Sequence, residues 1–64
     1  MWKEYYDALV KRVNDHYEVI YEGVKMKVYG NIRKAMICIT QSDSWKLWHD
    51  RKIIGESFYV EVLN

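Results

Sequence analysis

Apolar and polar residues alternate most regularly over residues 16–29, HYEVIYEGVKMKVY, where two such runs meet at Glu22 and Gly23. With those two residues as the loop, a β-hairpin register follows, in which Tyr21 faces Val24, Val19 faces Met26 and Tyr17 faces Val28. Those side chains share one apolar face, which belongs against a core. The other face pairs Glu18 with Lys27, Ile20 with Lys25 and His16 with Tyr29, and it is free to meet solvent or a partner.

On the N-terminal side, Trp2, Tyr5, Tyr6, Leu9 and Val13 fall at helical spacing, which predicts an amphipathic helix over residues 2–14. Asp7 and Lys11 support it as an i, i+4 pair, and Asn14 with Asp15 supplies a stop. After the hairpin, Gly30 to Arg33 read as a loop and residues 34–41, KAMICITQ, as a third strand rich in β-branched side chains. Pairing across that loop sets Ala35 on Val28, Ile37 on Met26 and Ile39 on Val24. Met36 and Cys38 then join Lys25, Lys27 and Tyr29 on the second face.

A turn cluster at residues 41–44 precedes Trp45, Lys46, Leu47, Trp48 and His49. As a strand these residues close through Asp50 and Arg51 onto Ile53 and Ile54; as a short helix capped by Ser42 or Asp43 they put Trp45 and Trp48 on one side. Gly55 and Glu56 mark a bulge or kink. Residues 57–63 form a last strand, with Phe58, Val60 and Val62 on one face and Tyr59, Glu61 and Leu63 on the other. The expected fold is therefore α+β, an N-terminal helix packed on a four- to five-stranded antiparallel β-meander. A small SH3-like barrel with an appended N-terminal helix is the alternative.

Composition bounds this picture. A chain of 64 residues without proline or a Gly/Ser-rich run has room for a single domain, residues 1–64. Domains of that size bury only about 60% of the surface of the unfolded chain, so stability is thin and a second copy that covers apolar surface adds to it. The lone Cys38 allows no intramolecular disulfide and, with the absence of a basic-then-apolar start, points to the cytoplasm. No apolar run approaches the ~18 residues of a membrane span.

Net charge is +1, but residues 23–34 carry Lys25, Lys27, Arg33 and Lys34 and no acid. Catalytic chemistry finds little footing. Cys38 lies between isoleucines, where a small hydrophobe is expected, and His49 with Asp50 would point to opposite faces of a hairpin tip. Two distant histidines and one cysteine do not make a zinc pattern, and three isolated glycines make no phosphate-cradling loop. The expectation is a non-enzyme without metal or cofactor.

Function is then sought on the surface. Lys25, Lys27, Arg33 and Lys34 surround Tyr29 and Met36 on the second face, and Trp48 adds an exposed anchor if residues 45–49 are a strand. Those seven residues are the candidate partner-binding set. They suit an adaptor or inhibitor that occupies a surface of a larger protein, or a homodimer contact. Basic groups around a tyrosine platform also suit a small nucleic-acid-binding regulator. In size and composition alone, the chain resembles the host-takeover and anti-defence inhibitors carried by phages and mobile elements.

Overall fold

The computed structural model describes residues 1–41 and 51–63. Three two-residue loops divide its first half at a constant interval: Tyr6 and Asp7, Asn14 and Asp15, Glu22 and Gly23, each pair eight residues after the last. Tyr6 (φ 51°), Asp7 (φ 61°), Asn14 (φ 51°), Glu22 (φ 50°) and Gly23 (φ 80°) hold the left-handed backbone that tight hairpins favour. Between the loops run β1 (Lys3–Tyr5), β2 (Ala8–Val13), β3 (His16–Tyr21) and β4 (Val24–Gly30). Because each loop is two residues long, cross-strand partners stay on one face while the buried positions alternate from even on β2 to odd on β3 and even again on β4. Ala8, Val10, Val19, Met26 and Val28 all bury on one face. The register expected for the central hairpin is the one that forms, with Tyr17 opposite Val28, Val19 opposite Met26 and Tyr21 opposite Val24.

The helix expected over residues 2–14 does not form; those residues are the β1–β2 hairpin. Its supposed buried stripe is exposed at Trp2, Tyr5, Tyr6 and Leu9, while Ala8 and Val10, neither of them in that stripe, are buried. A solitary helix of this length is marginal in water, whereas a hairpin can extend a sheet whose apolar face already exists. Val10 pairs with Val19, and that contact decides between two periods the sequence satisfies equally.

The third strand expected over residues 34–41 is also replaced, by α1 (Ile32–Gln41). Gly30, at φ 87°, ends β4, and Asn31 caps the helix, its Oδ1 accepting the Lys34 N–H at 3.1 Å. Ile32, Ala35, Met36 and Ile39 then stand at i, i+3, i+4 and i+7, and the last three are fully buried. The Thr40 hydroxyl donates back to the Met36 carbonyl at 2.7 Å. A sheet with one apolar face needs a second layer, and α1 supplies it.

The chain returns through β5 (Lys52–Ile54) and β6 (Phe58–Val62). β6 lies beside β4, with Val60 opposite Val28 and Val62 opposite Met26, and β5 pairs with its outer side. The six strands of the described residues thus run in the order β1-β2-β3-β4-β6-β5, all antiparallel. The sheet is open, with short edges at β1 and β5, and does not close into the barrel that was the alternative. The architecture is α+β, with the one helix of the described residues after the first four strands. That helix is too short to cross a membrane. Residues 42–50, including the 45–49 segment that reads as strand or short helix, lie outside the described residues.

Candidate functional site

The core lies between α1 and one face of the sheet, where Val19, Met26, Val28 and Val60 meet Ala35, Met36 and Ile39. Among the described residues no element covers the opposite face, so its composition is set by the other parity of every strand. Strand pairing arranges it in three rows. The central row runs Lys11, Glu18, Lys27, Glu61, Lys52 across β2, β3, β4, β6 and β5, each opposite the next. Its charges alternate without interruption. Cross-strand neighbours of opposite sign favour this register by a few tenths of a kcal/mol each. Among the described residues, none of the five closes an ion pair within 4.0 Å, so their charged ends stay available. On the β1 side the row ends in aromatic surface, the Lys11 ammonium lying 5.7 Å from the centre of the Trp2 ring.

A second row contains Val13, His16, Tyr29, Tyr59 and Ile54. The His16 and Tyr29 rings are 5.2 Å apart and the Tyr29 and Tyr59 rings 5.8 Å, both tilted, so three rings form a continuous strip. Ile54 at its end is 81% exposed. The third row contains Leu9, Ile20, Lys25 and Leu63, the Leu63 N–H donating to the Lys25 carbonyl at 2.8 Å. Leu9 is 45% exposed. Apolar and aromatic surface therefore flanks a charged centre line on both sides.

His16 anchors the strip at one end. Its Nδ1 lies 3.1 Å from Asp15 Oδ1, while its Nε2 is buried with no partner among the described residues. The bond from His16 is the main reason the Asp15 carboxyl titrates below its ordinary value near 3.8, and the Asp15 backbone and the positive charges of His16 and Lys27 act in the same direction. A carboxyl with a depressed folded-state pKa stabilises the fold above its unfolded pKa and loses that contribution as pH falls through the folded value. Melting curves of the parent and of Asp15→Asn are therefore expected to differ at neutral pH and converge below about pH 4. A separation that stayed constant into strong acid would disprove the link. Asp15 is fully exposed, so the difference is small.

The seven residues expected to bind a partner are divided by the fold. Lys25, Lys27 and Tyr29 lie on the open face. Arg33 and Lys34 are exposed in the first turn of α1, on the far side of the sheet, where Lys34 stands 4.0 Å from Glu56. Met36 is 0% exposed and belongs to the core, so it offers nothing to a partner. Trp48 lies outside the described residues, as do His49 and Asp50. Lys11, Glu61, Lys52 and Tyr59 join the face instead. For Lys11 the signal was the eight-residue recurrence of loops, which sets it against Glu18. The neighbourhood of β4 and β6 is non-local and left no such mark.

The helix side carries a groove of about 330 Å³ among residues of β1, β2, β3 and the start of α1. Tyr5, Val10, Arg12, Tyr17 and Ile32 line it. Arg12 Nη1 donates to the Tyr17 hydroxyl at 3.0 Å, and its guanidinium lies 5.0 Å from the centre of that ring. This pairing uses the cation within the chain. Comparison with protein-family models, curated proteins and solved structures finds no match for this chain.

Proposed function

We propose that this chain is a non-enzymatic protein-binding module, of adaptor or inhibitor type, that occupies a surface of a larger protein with the open face of its sheet. The observation that carries the reading is the composition of that face: an alternating charge row between an aromatic strip and an aliphatic row, with Leu9 and Ile54 exposed. Exposed apolar surface beside ordered charge is what protein contacts use, the apolar part for affinity and the charge for register. An inhibitor of the sort that phages and mobile elements carry is the form of this reading that the chain's size suggests.

The competing reading, a nucleic-acid-binding regulator built on the basic residues of 25–34, has less support. Glu18 and Glu61 interleave the three lysines of the central row, and Arg33 and Lys34 lie on the other side of the molecule. A phosphate backbone would meet carboxylates at every second position.

Capture from a nuclease-treated lysate, with mass determination of the bound material, tests the choice. Tyr29→Ala and Tyr59→Ala are each expected to reduce the retained partner about tenfold through a faster off-rate. Arg33→Ala and Lys34→Ala should leave capture unchanged. The reverse pattern, or binding that needs nucleic acid and weakens steeply with salt, would overturn the proposal.

A further inference from the structure

The charge row has a symmetry that the strand order imposes. Six strands in the order β1-β2-β3-β4-β6-β5 have their midline between β3 and β4. Across that midline, Glu18 on β3 mirrors Lys27 on β4, Lys11 on β2 mirrors Glu61 on β6, and Trp2, beside Lys11, mirrors Lys52 on β5. Every mirrored pair joins groups that attract: two opposite-charge pairs and a cation with an aromatic ring. The row is thus antisymmetric in charge about the centre of its own sheet.

We infer that the partner this face fits is a second copy of the same chain, stacked face to face about a two-fold axis parallel to the strands at the β3–β4 midline. The inference rests on the open face being the contact surface, as proposed above, and sets a second copy in place of the larger protein as its occupant. A rotation about that axis exchanges β3 with β4, β2 with β6 and β1 with β5. It brings Glu18 onto Lys27 of the second copy, Lys11 onto its Glu61 and Trp2 onto its Lys52, each contact occurring twice, as an isologous interface requires. The flanking rows follow. Leu9 meets Leu63 of the second copy, Ile20 meets the aliphatic stem of its Lys25, and His16 meets its Tyr29. None of these contacts opposes like charges. A two-fold axis across the strands would instead set each charge of the central row on its own copy, lysine against lysine, so the pattern selects one docking direction.

Sheets packed in an aligned manner cross at about 30°, which hardly moves the Glu18–Lys27 contacts beside the axis and leaves the outer ones within reach of long lysine side chains. Six strands about 4.8 Å apart and three to seven residues long present a face of roughly 480 Å², so two copies cover about 1,000 Å² together. That is the lower limit for a specific contact, and it makes the dimer reversible and concentration-dependent.

Sedimentation equilibrium of the full chain over a concentration series tests this directly. The parent is expected to pass from one to two chain masses. Lys27→Glu sets an acid against Glu18 of the second copy, and Glu18→Lys sets a base against its Lys27, so each variant alone should dimerise at least about tenfold more weakly. An equimolar mixture of the two restores opposite charges at both contacts and should recover the parent's association. Lys11→Glu and Glu61→Lys form a second pair with the same logic, in case either central variant fails to melt cooperatively. A parent that stays monomeric throughout, single variants that associate like the parent, or a mixture no better than its components would each overturn the inference. Failure of this kind with capture still weakened by Tyr29→Ala removes the second copy as occupant and leaves the larger target. Intact, charge-dependent dimerisation without any captured protein supports the second copy and removes the target.

Discussion

Met36→Ala is expected to lower the free energy of unfolding by about 2–5 kcal/mol, and Ile37→Ala by much less. Met36 is 0% exposed between α1 and the sheet, whereas Ile37, one position on, points aside and is only half-buried. If residues 34–41 were a strand the order would be inverted, because Ile37 would share the core face with Ala35 and Ile39. Urea titrations of both variants decide the matter, with an unchanged denaturant slope showing that the unfolded state is the same. Whole domains of this size are stable by roughly 3–10 kcal/mol, so the Met36 variant is expected to be partly unfolded at body temperature. A loss of partner binding in it would report the fold and not a contact.

The second large effect is expected at Gly30. Its φ of 87° favours glycine, and a Cβ built there would stand 2.5 Å from the Ser57 carbonyl oxygen and 3.1 Å from Phe58 Cα. That same carbonyl accepts the Asn31 N–H at 2.8 Å, the bond that holds the end of β4 to the start of β6 just where α1 begins. Gly30→Ala thus strains the backbone and pushes away the acceptor at once, at a cost of about 2–4 kcal/mol. Chemical denaturation measures it. A variant as stable as the parent would show that β4 and β6 do not approach this closely.

How much of this was legible in the sequence depended on whether the deciding contact was local. The central hairpin was read to the residue because Glu22 and Gly23 supply both turn chemistry and register. The last strand was read for the same reason of strict alternation, with Val60 and Val62 inward and Tyr59 and Glu61 outward. Residues 2–14 and 34–41 fit two periods each, and tertiary contacts chose between them: Val10 against Val19 for the first, and the uncovered sheet face for the second. The cap at Asn31 is the local sign of α1, while the β-branched Ile37, Ile39 and Thr40 after it locally favour a strand. On the open face, Lys25, Lys27 and Tyr29 were legible from the hairpin alone. Glu61, Lys52 and Tyr59 were not, because their place depends on β6 settling beside β4 across a long separation in sequence.

The constant interval between the first three loops bears on how such a chain can change its length. Duplicating a sixteen-residue stretch between Tyr6 and Gly23 would add a whole hairpin, keep inside and outside unaltered and deliver the end of β4 to the same side of the molecule for α1. Adding only eight would turn the later strands inside out, because positions eight apart, such as Val10 and Glu18, face opposite sides of the sheet, and it would also reverse the strand that leads into the helix. Losing a single residue within a strand would likewise turn the rest of that strand inside out. Alterations of length in this region are therefore tolerated in steps of a whole hairpin, and neither a single strand nor a single residue is a neutral unit.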